Sequence, residues 1–275
     1  MLMILNNSKF LLLAIAIVLG GCSSLPSLPS FSNDDAETTN AASNSTNEAA
    51  IEPDAPALTP KELEELALAQ KALGLMGTIN AFKLDKDKQK KLNSSQLRSV
   101  QNAMNSLSSS KPEKALAELQ VVIDDPDFIA APNTSVWVLR GDIHRAQAEN
   151  DKAITDYQQA LAMAASNYQA HNRIGFVYRD QGKFDLAKEH YSNAIDAWPG
   201  NSASYRNRGI LLDLYLGEKS AALEDYKIYK ALLDLQISSV ETAVKTLIKE
   251  QKLAGQWILD IQRQIKALER EKANG

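Results

Sequence analysis

Cysteine, histidine, glycine-rich loops and long apolar runs are all scarce in this 275-residue chain, and each scarcity excludes something. With Cys22 as the only cysteine, no intramolecular disulfide can form. The apolar run Phe10 to Val18 is too short to cross a bilayer as a stable helix. The three histidines, His144, His171 and His190, lack metal-ligand spacing to one another or to carboxylates; His190, next to Tyr191, is expected to face solvent. No glycine-rich phosphate loop, nucleophile elbow or Ser, His and Asp set is present, so neither an enzyme nor a cofactor or metal site is expected. A net charge of −4 does not fit nucleic-acid binding.

What is present is a repeat. Gly141, Ala153, Tyr157 and Ala160 recur 34 residues later as Gly175, Ala187, Tyr191 and Ala194. A fixed period of this size fixes the architecture before any local reading does. The small residues fall where two antiparallel helices press together, with Trp137, Tyr157, Tyr178 and Tyr191 filling the space beside them. A third unit starts near Ser202, with Tyr205 and Gly209 in frame. Its second half slips by one residue, because Gly217, Ala222 and Tyr226 follow Gly182, Ala187 and Tyr191 by 35.

These residues resemble the tetratricopeptide repeat (TPR) family. The unit from Tyr168 to Asn201 fits nearly every slot of its pattern, with Ile174-Gly175, Tyr178, Gly182, Ala187, Tyr191, Ala194 and Pro199. The unit from Thr134 to Asn167 departs from it at Arg140, His144 and Ala165, where Leu, Tyr and Pro are expected; His144 is read as a packing residue. The resemblance implies an all-α solenoid of about three helical hairpins: 134–167, 168–201 and 202–236. It also implies a concave groove lined by the first helix of each hairpin, binding a protein segment. Positions facing it include Val138, Asp142 and Arg145, then Asn172, Phe176, Arg179 and Asp180, then Arg206, Ile210 and Asp213. Arg145, Arg179 and Arg206 offer forked donors suited to carboxylates, beside apolar Phe176 and Ile210. Alternatively, the arginines pair with Asp142, Asp180 and Asp213 within the groove. The Lys and Asn pattern with which some TPRs clamp a terminal carboxylate is absent, since Val138 and Asp142 stand in two of its slots.

The flanks read differently. The apolar run ends in Leu19-Gly20-Gly21-Cys22, which resembles the lipobox of bacterial lipoproteins. That resemblance implies a signal peptide over 1–21, acylation of Cys22, and membrane anchoring through several acyl chains. Ser23 after the cysteine implies the outer membrane, with the chain facing the periplasm. From Ser23 to Leu58 the composition is Ser, Asn, Thr, Ala, Pro and scattered acids, without Lys or Arg. Such a segment buries too little apolar area to fold, and is expected to act as a disordered tether spanning roughly 30–35 Å.

Thr59-Pro60-Lys61-Glu62 then has the form of a capping box, and Leu63, Leu66, Leu73 and Met76 mark the apolar face of the helix it opens. Asn93 to Gln96 is a second capping box. With the helix after Pro112 it begins a degenerate repeat within the N-terminal helices, 59–133. The lysine-rich stretch Lys83 to Lys91 is read as a solvated helix end. A further capping box, Ser238 to Glu241, begins an amphipathic run through Leu253, Trp257, Ile258, Ile261, Ile265 and Leu268. Over 237–275 this suits the polar-faced end unit that a solenoid requires.

The chain therefore reads as a membrane-anchored TPR adaptor or assembly factor of the cell envelope. Pilus, outer-membrane assembly and TonB-linked systems are the settings this resemblance implies, the last through Ala222 to Tyr226 and Trp257 to Ile261. A self-associating structural lipoprotein, or a scaffold for cell-wall enzymes, is the alternative. Oligomeric state is left open. Cys22→Ser is expected to abolish metabolic palmitate labelling and to move the chain from the membrane fraction to the soluble one. A labelled Cys22→Ser chain would rule out this anchor.

Overall fold

The computed structural model of the protein describes residues 58–87, 89–239 and 245–274. Cys22, the expected tether and the capping sequence ending at Glu241 lie, wholly or in part, outside the described residues. Those residues form two compact units, the first ending at Ala67 and the second beginning at Leu68. The described part of the first is the start of helix α1 (Pro60–Met76). There the expected capping box closes: the Thr59 N–H donates to Glu62 Oε2 at 2.8 Å, and the Glu62 N–H to Thr59 Oγ1 at 3.3 Å.

The second unit is built on three helical hairpins. They pair α6 (Thr134–Ala146) with α7 (Asn150–Met163), α8 (Tyr168–Asp180) with α9 (Phe184–Ala197), and α10 (Ser202–Leu214) with α11 (Lys219–Ser238). Each first helix is opened by an asparagine, Asn133, Asn167 or Asn201, whose side chain accepts a first-turn backbone N–H. Such a cap contributes about 1 kcal/mol, and it recurs at the period of the repeat. Gly182 and Gly217 turn the second and third hairpins at φ 74° and 68°, a conformation that glycine adopts without a Cβ penalty. The third turn holds one residue more, so α11 begins 35 rather than 34 residues after α9. The slip read in the sequence is confined to that turn.

Inside each hairpin a glycine of the first helix faces a tyrosine ring of the second. A Cβ on Gly175 would lie 2.7 Å from the ring of Tyr191, and one on Gly209 would lie 2.8 Å from that of Tyr226. Gly141 stands in the same relation to Tyr157. The three tyrosines are buried, together with Ala153, Ala160, Ala187, Ala194 and Ala222.

Before the repeats, α3 (Ser94–Ser108) and α4 (Pro112–Ile123) form a further hairpin. Its core of Ala103, Ala115, Leu119 and Val122 continues into Val136 and Ile143 of α6. Asn93 and Gln96 complete their reciprocal cap. Pro126 both follows the end of α4 and starts a short helix, α5 (Pro126–Ala130), capped by Asp125.

The stretch from Leu68 to Lys90 does not stack in front of this hairpin. It runs along the starts of the first helices, opposite to the order of the repeats. The Gln89 side chain accepts from both the N–H and the hydroxyl of Thr134, and Asn133 donates to the Lys90 carbonyl. Phe82, on α2 (Ala81–Asp87), meets the Tyr168 ring edge-on at 5.9 Å, while Ser166 donates to Asp85. Leu68, Ala72 and Leu75 pack into the core of the third repeat, with Tyr205, Tyr229 and Leu232. The apolar face expected at Leu73 and Met76 is thus displaced: both are exposed, and Ala72 is the buried residue. The lysine-rich stretch likewise holds docking residues, because Asp85 and Gln89 each bridge to a repeat junction.

At the other end, α11 extends six residues beyond the 14 of α7 and α9, and α12 (Lys245–Asn274) lies along it. Trp257 packs on Tyr226 and Tyr229, at 5.3 and 6.5 Å between ring centres, flanked by buried Ala254 and Ile261. Ile258 and Ile265 join this contact, whereas Leu268 is exposed.

Because an added methyl would lie 2.7 Å from the fully buried Tyr191 ring and 3.2 Å from the Ala187 carbonyl, Gly175→Ala is expected to destabilise the protein by about 1–3 kcal/mol. Gly74→Ala, on α1 where nothing lies within 4 Å, is expected to be neutral or stabilising. Urea midpoints of the two variants measure the contrast.

Candidate functional site

The first helices α6, α8 and α10 line a concavity of about 660 Å³, to which α12 contributes Trp257. Asp142, Arg145, Asn172, Phe176, Arg179, Arg206 and Ile210 all stand on its wall, so the structure brings together seven of the ten groove positions named from the sequence, while Asp180 and Asp213 do not line it. Val138 does not belong with them; it is buried in the core between the first two hairpins. Arg173, Tyr168, Asn207 and Trp257 also line the cavity and were missed. Trp257 had a sequence signal, being the largest residue of the capping stripe, but it lies 44 residues beyond α10's Asp213 and its placement is tertiary.

The arginines differ sharply in what they touch. Arg173 holds Asp142 from α8, its Nε 2.7 and 2.8 Å from the two carboxylate oxygens, and the buried Tyr157 hydroxyl donates to the same carboxylate at 2.8 Å. Arg206 reaches Glu250 of α12 at 3.4 Å, and Tyr229 donates to the other oxygen of that carboxylate. Asp213 is bound by Lys219 at 2.6 Å and by the Tyr226 hydroxyl. Of the internal pairs considered from sequence, only Arg179 with Asp180 is made, at 3.2 Å. The even row of three arginines is therefore corrected: α12 supplies the partner of Arg206, which period alone could not show.

Arg145 and Arg179 instead converge on one ring. Their guanidinium carbons lie 4.9 and 4.5 Å from the centre of Phe176, distances suited to cation–π attraction. Arg145 makes no ion pair among the described residues. Asn172 is a brace between repeats, donating to Ser204 at 2.8 Å and accepting from Asn207 at 3.2 Å.

Two of the three departures from the repeat pattern, Arg140 and His144, share one cause. Arg140, in a leucine slot, donates through Nε to buried Asp156 at 2.9 Å, and His144, in a tyrosine slot, sets Nδ1 3.0 Å from the other oxygen of that carboxylate. Arg208 and Asp225 repeat the pair in the third hairpin with two 2.8 Å contacts. The middle hairpin has Ile174 and His190 in those places. His190 does not face solvent as expected: it is half-buried, with Nδ1 3.2 Å from Nδ1 of His171 and its ring against Tyr178. His171 turns Nε2 to the Ala165 carbonyl at 3.1 Å, which fixes that nitrogen as the donor and leaves Nδ1 to accept from His190. Among the described residues no group of three or more His, Cys, Asp or Glu side chains is placed to hold a metal ion, and no helix is long and apolar enough to cross a membrane.

A stack of helical hairpins with a first-helix groove is a protein of the α-solenoid class. More narrowly, residues 138–202 and 175–232 match the family model described as Tetratricopeptide repeat, so this part of the chain carries TPR repeats. The chain is 33% identical over 66 residues to Protein bimA of Emericella nidulans, covering 24% of this chain and 8% of that protein. It is 32% identical over 78 residues to Anaphase-promoting complex subunit 3 of Schizosaccharomyces pombe, covering 28% and 11%. The chain thus spans about a tenth of the length of these curated relatives. Among solved structures it is similar to the Sgt2 TPR domain from Aspergillus fumigatus, at 19% identity and a TM-score of 0.41, covering 50% of this chain and 83% of that one.

The histidine pair yields a pH prediction. Burial, then the neighbouring His171, pushes His190 down to about 4, and burial lowers His171 as well. The unfolded chain therefore binds more protons than the folded one between about pH 6.5 and 4, so stability is full above that window and falls through it on acidification. Between pH 7 and 5 the wild type is expected to lose about 1 kcal/mol more than His190→Gln, after discount for the partly solvated ring. Urea unfolding at the two pH values reads this directly.

Proposed function

We propose that the chain is a lipid-anchored adaptor of the bacterial cell envelope that holds a segment of a protein partner in the groove of its TPR repeats. TPR repeats are protein-interaction modules, and the observation that carries the reading is the meeting of the seven groove residues around one cavity. Two cations stand there on one aromatic ring, a surface of the kind that gives a protein contact its anchor. The lipobox-like sequence ending at Cys22 and the Lys- and Arg-free stretch behind it support an outer-membrane anchor with the repeats held in the periplasm. TonB-linked, pilus and outer-membrane assembly systems are the settings this reading favours.

In-cell crosslinking of the full chain tests it. A photo-crosslinker at Gln169, on the cavity wall, is expected to capture a partner that is lost in the doubly reversed chain, Arg145→Glu with Arg179→Glu, when circular dichroism shows that chain to be folded. Capture that persists in the folded variant would show that the contact does not depend on the two arginines, and no capture from Gln169 in either chain would overturn the groove. Capture only of a second copy of the chain would favour a self-associating structural role.

A further inference from the structure

The three repeats treat their buried tyrosine differently. In the first, Tyr157 donates to Asp142; in the third, Tyr226 donates to Asp213 at 3.3 Å. The position of Asp142 is taken in the middle repeat by Phe176, and that of Asp213 by Arg179. The middle hairpin has thus exchanged both carboxylate positions, one for a ring and the other for a cation. Tyr191, fully buried, consequently has a hydroxyl without an acceptor among the described residues, and the buried Nε of Arg179 has none either. The Tyr191 hydroxyl is close enough to Arg179 to feel its charge. Arg145 adds a second guanidinium over Phe176, without an ion pair among the described residues. Arg179 has Asp180 at 3.2 Å on one terminal nitrogen, whereas Arg145 has no such counter-charge among the described residues, and one further carboxylate beside the ring would accept from both forks.

We propose that Arg145 and Arg179 form a clamp for a single aspartate or glutamate side chain of the bound segment, seated on Phe176. The partner supplies the carboxylate that Arg145 lacks and adds to Asp180 on Arg179. An apolar residue beside that acid reaches Ile210 and Trp257 on the same wall. The proposal rests on the groove reading above and narrows it from a protein segment to an acidic one. Arg206 takes no part, because it pairs with Glu250 and, unlike Arg145 and Arg179, does not stand on the Phe176 ring.

Fluorescence anisotropy of the full chain with two labelled dodecapeptides tests this. They are identical except at their centre, which carries alternating glutamate and leucine in one and glutamine and leucine in the other. The acidic peptide is expected to bind about tenfold more tightly, the effect of a charge-assisted contact. Arg145→Gln and Arg179→Gln each reduce that preference, the double variant abolishes it, and Arg263→Gln, an exposed cation on α12, leaves it intact. Circular dichroism shows whether each variant is folded, and Phe176→Leu, which keeps both charges but removes the ring, is expected to weaken the preference without removing it. Equal binding of the two peptides overturns the clamp, as does a preference that survives the double variant, or no binding of the acidic peptide at about millimolar concentration. Equal binding that is lost in Ile210→Asp removes the clamp but keeps the groove. Equal binding that no groove substitution changes removes both.

Discussion

The close approach of a glycine to a tyrosine ring holds this structure together. In each repeat the first helix presents a bare backbone, and the second presses an aromatic face onto it. That contact sets the distance and tilt between the two helices, and three copies of it set the same geometry three times. The groove follows from this repetition, since first helices packed alike bring their corresponding positions onto one wall. Asp142, Phe176 and Ile210 share a cavity because Gly141, Gly175 and Gly209 share a contact.

Polar pairing then distinguishes repeats that packing makes equivalent. Arg140 with Asp156 and Arg208 with Asp225 cross the first and third hairpins, whereas Ile174 and the histidine pair occupy the middle one. A buried carboxylate is tolerable only with a cation or donors beside it, so each departure from the repeat pattern comes with a partner. The tyrosine hydroxyls obey the same requirement in the outer repeats, where aspartates receive them. Chemical difference is concentrated in the central repeat, at the middle of the groove.

The parts outside the repeats do more than end the stack. The segment from Leu68 to Lys90 ties the starts of all three first helices to one strap, through Thr134, Tyr168 and the core around Tyr205. Helix α12 closes the last hairpin with Trp257 and also sends Glu250 to Arg206, altering the charge of the groove from outside it. A solenoid unit touches chiefly its neighbours, so contacts that span three repeats couple what would otherwise be locally independent.

Much of this was legible in the sequence. The 34-residue period fixed the hairpins, the one-residue slip and seven of the ten groove positions named, because a period constrains which residues are equivalent in space. The capping boxes at Thr59 and Asn93 were legible for the same local reason: each closes within four residues. The recurring Asn133, Asn167 and Asn201 were equally available as caps and went unread. What the tertiary structure alone decided were the contacts between segments far apart in the chain. Leu73 and Met76 fit a helical stripe as well as Ala72 does, and only docking on the third repeat selects Ala72. Arg206 has the same sequence credentials as Arg179, yet it pairs with Glu250 of α12, whereas Arg179 pairs with its chain neighbour Asp180 and stands on Phe176. His171 and His190 stand 19 residues apart, a spacing that carries no pairing signal, and meet because two helices of one hairpin face each other. Periodicity specifies equivalence along the chain, whereas charge and burial are settled by whatever else the fold brings alongside.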